Sequence, residues 1–362
     1  MLKEKFDSAF AFLQTSSPLI GVDISSSALK LVELSEIGKG AYRLERYAIE
    51  PLPKDVVTDG NIANLDQVSE TLRRAHKRLG SRNRNIAMAL PTAMVITKKI
   101  IVPSGQTEEE LELQVEAEAN QYIPFALDEV NLDFQILGAA PNNPDEFEVL
   151  IAASRKEKVD DRVAIADAAG LRPRVMDVES YATEEAFVMI SPSLPANGRD
   201  QNVALVDIGA HVMHFYVLRN NQILFSRDQA FGGNQLTHDI QRAFNLSPEE
   251  AESAKKNAGL PENYDADVLQ PFMETVALEV TRALQFFFTS TSYNQVDQIV
   301  LAGGCALLPG LDELVAKRAG VNTIVGNPFA SMTASDRIRP RQLAADAPLL
   351  LIACGLALRG FE

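Results

Sequence analysis

A carboxylate, three hydroxyls and a lysine are crowded into one short stretch near the start of this sequence. In PLIGVDISSSALKLVEL an apolar segment leads to Asp23, then come Ser25, Ser26 and Ser27, and a second apolar segment carries Lys30. Such groups suit Mg²⁺ and phosphate, because hard cations take oxygen ligands and ammonium groups pair with phosphate oxygens. The stretch also fits an ordinary polar turn between two strands, so its meaning depends on the rest of the chain.

The stretch VALVDIGAHV repeats this design about half a chain later. An apolar segment again ends in an aspartate, Asp207, and Gly209 and Ala210 follow in a tight turn before the next apolar segment. Two similar strand–aspartate–turn units predict two duplicated lobes whose turns face each other. Read alone, Asp207 could merely cap a hairpin.

A glycine pair follows an apolar segment near the end of the chain. In IVLAGGCALLPGL a predicted strand runs into Gly303 and Gly304, Cys305 follows, and Pro309 is predicted to open a helix. Glycines let a backbone approach a flat or anionic ligand closely, and a helix N-terminus favours negative charge. An ordinary strand-to-helix turn has the same pattern.

The stretch SPEEAESAKK has the signals of a helix start. Ser247 is placed to cap the helix, Pro248 to occupy its first position and Glu250 to complete the cap. Glu252 and Lys255, three residues apart, then share one helix face. They fit either a solvated surface pair or a contact to a bound ligand.

The elements that must position these residues alternate between strands and helices. Apolar residues recur at helical spacing in some segments and form short, β-rich runs in others. Residues 191–202, SPSLPANGRDQN, form the clearest boundary because they are rich in turn formers and lack periodicity. The sequence predicts strands at 19–24, 29–34, 42–49, 85–90, 147–152, 174–178 and 298–302, helices at 62–79 and 156–169, and a mainly helical stretch at 232–293.

One block interrupts this α/β alternation. The segments VITKKIIVP, TEEELELQVEAEANQYIPF, VNLDFQIL and EFEVLIAAS predict a strand, a helix and two strands. Thr107 and Glu110 form a capping box at the start of the helix. The block is therefore predicted to be an inserted subdomain.

Composition excludes some functions. The chain has 362 residues, 46% of them hydrophobic, which is enough for two domains or one lobed pair. Its net charge of −15 would repel phosphate backbones, and no basic run offsets it, so nucleic acid is not an expected partner. Cys305 and Cys354 match no metal spacing and fit buried thiols in a reducing compartment.

The sequence predicts a cytoplasmic protein. The longest strongly apolar stretch, residues 347–358, is shorter than the roughly 20 residues that a spanning helix needs. Residues 1–17 place Leu2, Phe6, Phe10 and Leu13 on one face of an amphipathic helix. This segment is expected to pack on the protein's own surface, although it also fits a membrane or a partner.

Taken in order, the four motifs resemble those of the actin-like ATPase superfamily. GVDISSSALK is similar to its first phosphate loop, VDIGAHV to its second, LAGGCALLPG to its adenosine loop and AESAK to its nucleoside contact. The resemblance implies a two-lobed, ribonuclease-H-like α/β fold, and the inserted block is similar in placement to that of FtsA. GVDISSSALKLVEL, AGLRPRVMDVES and FGGNQLTHDI resemble the PilM family of type IV pilus assembly proteins, over nearly the whole chain from Leu19.

The resemblance implies a binding site for ATP and Mg²⁺. Asp23 and Asp207 would hold the metal, in part through water, because Mg²⁺ keeps much of its hydration shell. The other implied contacts are Ser25, Ser26, Ser27 and Lys30 to the phosphates; Gly209 and Ala210 in the second loop; Gly232 and Gly233 at a phosphate-side turn and hinge; Glu252 and Lys255 to ribose or base; and Gly303, Gly304 and Cys305 beside the adenosine.

Two features set ATP binding apart from ATP turnover. The second loop reads Ala210-His211-Val212-Met213, where the superfamily normally offers glycines and a threonine, so it has few hydroxyls for a γ-phosphate. Glu179 corresponds to the glutamate that positions water in related ATPases, but spacing does not show where it points. The resemblance therefore implies ATP binding with weak or no ATPase activity.

The expected domain organisation also follows the resemblance. The lobes are not continuous in sequence, because one block is inserted in the first lobe and another in the second. The expected parts are an amphipathic segment at 1–17; a first lobe at 18–91 and 150–200, with helix 347–358 packed back on it; an FtsA-type insert at 92–149; a second lobe at 201–230 and 298–335; and a helical nucleotide-side subdomain at 231–297.

The resemblance implies a scaffold of the type IV pilus inner-membrane assembly complex. It should bind the cytoplasmic N-terminal tail of the inner-membrane protein PilN, and so reach the membrane only through partners. Other pilus components and self-association stay open. The first alternative is an FtsA-like division filament, which would bear a membrane-binding helix after its C-terminal region, where this sequence reads CGLALRGFE. A sugar or acetate kinase would need substrate motifs in the first lobe that the sequence does not contain.

Overall fold

Two β-sheets form the centre of the structure. The computed structural model describes residues 18–141, 143–257 and 260–361. The predicted amphipathic segment at 1–17 lies outside the described residues.

The described strands are β1 (Ile20–Ile24), β2 (Ala28–Gly38), β3 (Ala41–Pro51), β4 (Val57–Thr58), β5 (Asn61–Ile62), β6 (Asn85–Leu90), β7 (Val95–Pro103), β8 (Val130–Ala140), β9 (Asn143–Arg155), β10 (Arg172–Val178), β11 (Asn202–Ile208), β12 (Met213–Arg219), β13 (Gln222–Gln229), β14 (Gln298–Ala302), β15 (Thr323–Val325) and β16 (Thr333–Ala334). The described α-helices are α1 (Leu65–Leu79), α2 (Glu108–Tyr122), α3 (Lys156–Ala168), α4 (Glu179–Ile190), α5 (Gly233–Phe244), α6 (Pro248–Asn257), α7 (Gln270–Ser290), α8 (Leu311–Ala319), α9 (Pro340–Asp346) and α10 (Leu351–Leu358).

The two sheets share one topology. The first has the order β10-β6-β1-β2-β3-β16 and the second the order β13-β12-β11-β14-β15. In each, three consecutive strands form an antiparallel meander, and the first strand of that meander pairs in parallel with a later strand. Asp23 and Asp207 are each the penultimate residue of that first strand. The duplicated lobes predicted from the two aspartate motifs are confirmed.

Burial explains why these strands lie at the centre. β1 and β11 are apolar runs that are buried along almost their whole length, as expected for strands covered on both faces. Between the sheets, a core that includes Val32, Phe187, Leu205 and Tyr216 joins the two lobes. The turns that carry the aspartates are therefore anchored to a packed interior.

The inserted block has the predicted order of strand, helix, strand and strand. β7, β9 and β8 form an antiparallel sheet in that spatial order, and α2 packs on one face. The capping box predicted at Thr107 and Glu110 is present, with both reciprocal hydrogen bonds. Leu111 and Val115 on α2 pack against Ile151 on β9. The block buries a small core of its own.

Helix α10 packs directly on the first sheet. A Cβ at Gly21 of β1 would lie 2.0 Å from the carbonyl oxygen of Ala353, and one at Gly355 would lie 1.7 Å from the carbonyl oxygen of Ala182. Only glycine permits such close backbone approaches, so α10 is seated between β1 and α4. Cys354 on this helix and Cys305 are both buried, as the sequence predicts.

One helical run among the described residues, Pro340–Phe361, is long and apolar enough to cross a membrane by length and composition. The apolar stretch predicted from the sequence, residues 347–358, was too short. Helices α9 and α10 join through a 3₁₀ turn, Ala347–Leu350, into one longer helical run. Within its most apolar 18-residue window, 61% is buried inside the protein. With its glycine-mediated packing on β1, the run is best explained as a core helix of this fold.

Two predicted helix starts differ from the structure. The helix predicted from residue 62 begins at Leu65, because the Asn64 side chain caps it by accepting a hydrogen bond from the Gln67 N–H. Ile62 instead pairs in the small β4–β5 hairpin. Pro309 does not open a helix; α8 begins after Gly310, whose φ of 79° ends the preceding turn.

Helix α4 was not predicted. The sequence pattern predicts no helix between the strand at 174–178 and the boundary at 191–202, yet Glu179–Ile190 is helical and buries Ala182, Ala186 and Phe187. The boundary itself contains two short 3₁₀ turns, Ser191–Ser193 and Pro195–Gly198. Glu179 therefore stands at the start of a helix rather than in a loop.

Candidate functional site

The two lobes enclose a cleft of about 1380 Å³. Nearly all the site residues expected from the sequence meet there, although they come from six separate segments of the chain. Gly232 does not line the cleft, but it packs against the backbone of Gly209 and Ala210, which do. The predicted residues that line the cleft are Asp23, Ser25, Ser26, Ser27, Lys30, Glu179, Asp207, Gly209, Ala210, Gly233, Glu252, Lys255, Gly303, Gly304 and Cys305.

The first loop is a tight hairpin turn between β1 and β2. The Ser25 N–H and hydroxyl both donate to the Ala28 carbonyl, at 3.1 and 2.9 Å, which closes the turn. Antiparallel pairing places Asp23 opposite Lys30. The Lys30 ammonium donates to the Asp23 carboxylate at 2.8 Å and to the Ser25 hydroxyl at 3.2 Å. The loop thus presents a preformed cluster of charge and hydroxyl groups.

Lys30 remains charged in this position. Burial opposes its charge, but the surrounding carboxylates, Asp23 above all, together outweigh burial, so the pKa of Lys30 is raised. Asp207 and Glu179 also contribute to raising it, which places these two carboxylates within electrostatic range of the first loop. Asp23 therefore has Lys30 as a direct partner, whereas the sequence motifs predict only a metal partner for Asp23.

The second loop rests on the glycine pair at the start of α5. The Gly233 N–H donates to the Gly209 carbonyl and the Asn234 N–H to the Ala210 carbonyl, both at 2.9 Å. A Cβ at Gly232 would lie only 2.5 Å from the Gly209 carbonyl oxygen. Gly232 is therefore required for the loop to dock against the start of α5, which fits the turn predicted at these residues.

The third loop leads from β14 towards α8 and contains Gly303 and Gly304. Gly303 has φ of 79°, and a Cβ there would lie 2.4 Å from a carboxylate oxygen of Asp207. Gly304 has open space where a Cβ would stand. The first glycine thus lets the backbone pass close to Asp207, and the second leaves room in the cleft.

Glu252 and Lys255 form a salt bridge of 2.6 Å at the cleft wall. Thr237 on α5 connects them: the Lys255 ammonium donates to its hydroxyl at 2.7 Å, and that hydroxyl donates to Glu252 at 2.9 Å. The pair is partly buried, so it is not a free surface pair. Thr237 was missed from the sequence because nothing local links it to a helix that begins eleven residues later.

Glu179 is the first residue of α4 and faces the same cleft. Burial, followed by the negative charge of Asp23, raises the pKa of Glu179 to about 7. The positive charges of His214, Arg162 and Lys30 act in the opposite direction. Near neutral pH this carboxyl group is therefore only partly ionised.

His214 and Asp228 extend the site beyond the predicted residues. His214 lies opposite Asp207 in the β11–β12 register, and its Nδ1 lies 2.7 Å from an oxygen of Asp228. Burial opposes protonation, but the hydrogen bond to Asp228 and the charge of Asp207 raise the pKa of His214 to about 9. The hairpin predicted around Asp207 could have indicated His214, since cross-strand neighbours share a face.

The arrangement can hold a cation together with a polyanion. No group of three or more histidine, cysteine, aspartate or glutamate side chains with metal-site geometry occurs in the part of the chain that the structure describes. A hard cation between Asp23 and Asp207 would need further oxygen ligands from water or from a bound anion. Ser26, Ser27 and Lys30 line the same space and could contact such an anion.

Two duplicated lobes, a cleft between them and an aspartate-bearing turn from each define the class of the protein: this is the fold of the actin-like ATPases, with an FtsA-type insert. The family model for the type IV pilus assembly protein PilM matches residues 21–361. The chain belongs to this family.

Individual relatives agree with this assignment. A solved PilM–PilN type IV pilus biogenesis complex is similar over 96% of this chain and 100% of that chain, with 30% identity and a TM-score of 0.78. The ethanolamine utilization protein EutJ of Carboxydothermus hydrogenoformans shares the fold over 94% of this chain and 89% of that chain, at 19% identity and a TM-score of 0.57.

Sequence relatives cover shorter regions. FtsA of Bacillus subtilis is 25% identical over 250 residues, which is 67% of this chain and 52% of FtsA. EutJ of Escherichia coli is 28% identical over 152 residues, or 41% of this chain and 51% of EutJ. These matches therefore span about half the length of the two curated relatives.

Proposed function

We propose that this chain is an ATP-binding scaffold of type IV pilus assembly that binds the cytoplasmic N-terminal tail of PilN. Its similarity to the PilM of a PilM–PilN complex, over almost all of both chains, is the observation that carries this proposal. The protein would act in the cytoplasm and reach the inner-membrane face through that partner. The lobe and insert boundaries expected from the sequence stay part of the proposal.

The chemistry of the cleft fits Mg-ATP. Asp23 and Asp207 offer carboxylate oxygens, which suit Mg²⁺. The turn at Ser25–Ser27 and the Lys30 ammonium suit phosphate oxygens. Gly304, with open space where a Cβ would stand, suits a flat adenosine. When bound, the ion would neutralise phosphate charge between the two lobes.

A scaffold role fits better than rapid turnover. Ala210, Val212 and Met213 leave the second loop poor in hydroxyls, so little there would hold a γ-phosphate in place. A base with a pKa of about 7, such as Glu179, is only half ionised at neutral pH. Bound nucleotide would then act mainly by fixing the two lobes relative to each other.

The inserted block offers a surface for the tail. Tyr181 on α4 lies close to Thr97 on β7, and Glu184 on α4 lies within electrostatic range of Lys99. The face of β7 that carries Thr97 and Lys99 therefore faces α4. β7 is an edge strand of its sheet, and an edge strand has backbone groups free to pair with an extended peptide. The tail is proposed to dock where the insert meets the first lobe.

An FtsA-like division filament is the alternative with less support. The FtsA relatives match at 25–28% identity over only 52% and 34% of their own length, whereas the PilM–PilN structure is covered completely. The insert is common to both proposals and does not separate them.

Isothermal titration tests the proposed function directly. The purified chain would be titrated with Mg-ATP, and separately with a synthetic peptide of the PilN N-terminal tail from the same organism. Saturable binding of both ligands is expected. A chain that binds neither ligand would refute the proposal, and filament formation without binding of the PilN tail would favour the FtsA-like alternative.

A further inference from the structure

A group of exposed arginines lies at one edge of the first sheet. Residues 71–88 contain no aspartate or glutamate, and neither do residues 168–176. The strands that begin in these two segments, β6 and β10, pair in parallel, and the backbone N–H of Arg172 donates to the Arg84 carbonyl at 2.8 Å. Four exposed arginines thus come together, and we call them the arginine patch: Arg82, Arg84, Arg172 and Arg174.

Hydrogen bonds hold the loop between α1 and β6 in place. The Nε2 atom of His76, in the last turn of α1, lies 2.8 Å from the carbonyl oxygen of Asn83. The backbone N–H of Asn83 donates to the Ser81 hydroxyl at 3.0 Å. Because Ser81 and Asn83 are bonded to the protein itself, the exposed Arg82 and Arg84 are presented at a defined position on its surface.

The charges of the arginine patch are not neutralised by acidic neighbours. The arginines of α1 do have acidic partners, since Arg73 pairs with Glu70, and both Arg74 and Arg78 pair with Glu50. No ion pair of the arginine patch occurs within the part of the chain that the structure describes. Charges act over only about 8 Å at physiological ionic strength, so the patch would attract an anionic surface despite the net charge of −15.

The N-terminal segment joins the fold beside this patch. The side-chain amide of Asn83 donates to the Pro18 carbonyl at 2.7 Å, so the chain before Pro18 begins next to Arg82 and Arg84. Residues 1–17 lie outside the described residues, but their sequence predicts an amphipathic helix with four apolar side chains on one face, Leu2, Phe6, Phe10 and Leu13. Apolar side chains next to clustered cations are the two features that hold a protein at an anionic membrane surface.

We propose that the arginine patch and the adjacent N-terminal segment bind an anionic lipid surface directly. An acidic protein segment would need only the charges, whereas the apolar face predicted for residues 1–17 favours lipid. The patch lies where β6 and β10 begin, while Asp23 lies near the end of β1 and the insert follows the end of β6. Lipid binding is therefore separate from the nucleotide cleft and from the proposed tail site. It goes beyond the proposed function, in which PilN alone brings the chain to the membrane.

Co-sedimentation of the full chain with lipid vesicles tests this inference. Vesicles of equal parts phosphatidylglycerol and phosphatidylcholine should bind the wild type, vesicles of phosphatidylcholine alone should bind it far less, and added salt should weaken the anionic binding. The triple variant Arg82→Gln/Arg84→Gln/Arg172→Gln should lose affinity for the anionic vesicles by about 100-fold, since each arginine near such a surface contributes about fivefold. Arg174 is left in place because it also donates to the Asn85 side chain.

Two further variants separate the patch from net charge and test the apolar face. The triple variant Arg199→Gln/Lys317→Gln/Arg318→Gln removes the same charge from exposed residues of the second lobe and should bind the vesicles like the wild type. Phe6→Ser/Phe10→Ser should weaken binding to the anionic vesicles by at least about tenfold. Thermal melting and Mg-ATP titration of every variant should match the wild type, which shows that the fold is retained.

Several outcomes would overturn the inference. A wild type that does not bind anionic vesicles would do so, and it would favour packing of residues 1–17 on the protein's own surface or an acidic protein partner for the patch. An equal loss in the second-lobe variant would show that only net charge matters. Wild-type binding by the patch variant or by Phe6→Ser/Phe10→Ser would also contradict it. Binding of Mg-ATP and of the PilN tail is measured without lipid, so the proposed function is tested independently.

Discussion

The Lys30 ammonium lies 2.8 Å from the Asp23 carboxylate, and β-sheet pairing places the two residues directly opposite each other. Both side chains are largely buried. The carboxylate proposed to hold Mg²⁺ is therefore already neutralised by a cation of the protein. Incoming Mg-ATP would have to share Asp23 with Lys30 or draw Lys30 towards the phosphates.

Asp23→Asn is expected to weaken Mg-ATP binding by about 2 kcal/mol or more, roughly 30-fold, because it removes a buried charge at the metal position. Titration with ATP in the presence and absence of Mg²⁺ measures this. Removing only the carboxylate also leaves Lys30 buried without its partner, which costs about 3–5 kcal/mol of stability. Asp23→Ala is therefore not a neutral test of the site.

The double variant Asp23→Asn/Lys30→Met provides the matched control. It removes both charges, so chemical denaturation should show a stability closer to the wild type than that of Asp23→Asn, while Mg²⁺ dependence stays lost. If Asp23→Asn bound Mg-ATP like the wild type, the assignment of the first loop as a phosphate and metal clamp would be wrong.

The two glycines of the third loop should respond differently to the same substitution. Gly303→Ala would force alanine into φ of 79° with its Cβ against Asp207, so stability should fall by at least about 2 kcal/mol. Gly304→Ala meets no atom within 4 Å, so the protein should melt near the wild-type temperature. Its methyl group would project into the cleft and should weaken ATP binding.

Thermal melting and nucleotide titration on the two glycine variants check this pair of outcomes. Unchanged ATP affinity in a stable Gly304→Ala protein would place the adenosine elsewhere in the cleft. Equal destabilisation by the two substitutions would contradict the geometry of the loop.

ATP turnover is expected to be slow or undetectable, because the second loop lacks hydroxyls and Glu179 is only half ionised near pH 7. Phosphate release from Mg-ATP, followed with and without the PilN peptide, measures it. A rate of roughly 1 s⁻¹ or more, which is ordinary for enzymes, that vanished in Glu179→Ala would establish an ATPase instead.

Glu184 should make stability depend on pH. Burial raises its pKa to about 7, and Glu185 adds to the rise. The nearby backbone N–H of Ile223 and the positive charges of Arg359 and Lys99 act in the opposite direction. The folded state then binds more protons than the unfolded state, so this contribution is complete below pH 4.5 and is lost as pH rises through 7. The loss is about 1–2 kcal/mol, since the side chain is only partly buried.

Glu184→Gln isolates this effect, because the amide keeps the size and polarity of the side chain and does not ionise. Denaturation between pH 5 and pH 8 should show a shallower fall in stability for the variant, with the two proteins nearly equal at pH 5. Parallel profiles for wild type and variant would show that Glu184 does not titrate in this window.

The sequence predicted what is local in the site and missed what depends on tertiary contact. Asp23, Asp207 and the glycine loops were found because each belongs to a strand-and-turn motif a few residues long. Thr237 meets Glu252 across a gap between two helices, and Thr92 meets Ser180 from 88 residues away. Such pairs are fixed by how the lobes and the insert pack, which periodicity does not encode.

The unpredicted helix α4 has a similar explanation. Its buried residues Ala182, Ala186 and Phe187 keep helical spacing, but two are small, so the apolar stripe is weak in the sequence. The helix forms because it packs between α10 and the inter-lobe core, where Gly355 approaches the backbone of Ala182. Tertiary packing therefore determines the secondary structure of a segment whose sequence periodicity is ambiguous.

The last prediction concerns the position of the PilN tail. Ile101, on the β7 edge of the insert, has 56% of its surface exposed, and Ile136, on the opposite β8 edge, has 46% exposed. Ile100 and Val102 point into the core under α2, so Ile101 lies on the other face of β7, along with Thr97 and Lys99.

Ile101→Glu should therefore weaken binding of the tail peptide by about tenfold or more, because it removes an apolar contact and places a charge on the face of β7 that faces α4. Ile136→Glu is the matched control, since it makes the same change at a similarly exposed edge of the same sheet. It should bind the peptide like the wild type. A loss of affinity in Ile136→Glu alone would move the site to the β8 edge.

Bound ATP is expected to strengthen this docking by fixing the first lobe, with a coupling of about 1–3 kcal/mol, or roughly 5- to 150-fold in affinity. The same peptide should tighten ATP by the same factor, which titrations in both orders can verify. Crosslinks from a photoreactive tail peptide should fall on the insert and α4. Crosslinks confined to residues 202–328 would place the partner on the second lobe. Equal peptide affinity with and without nucleotide would show that the two binding sites are not coupled.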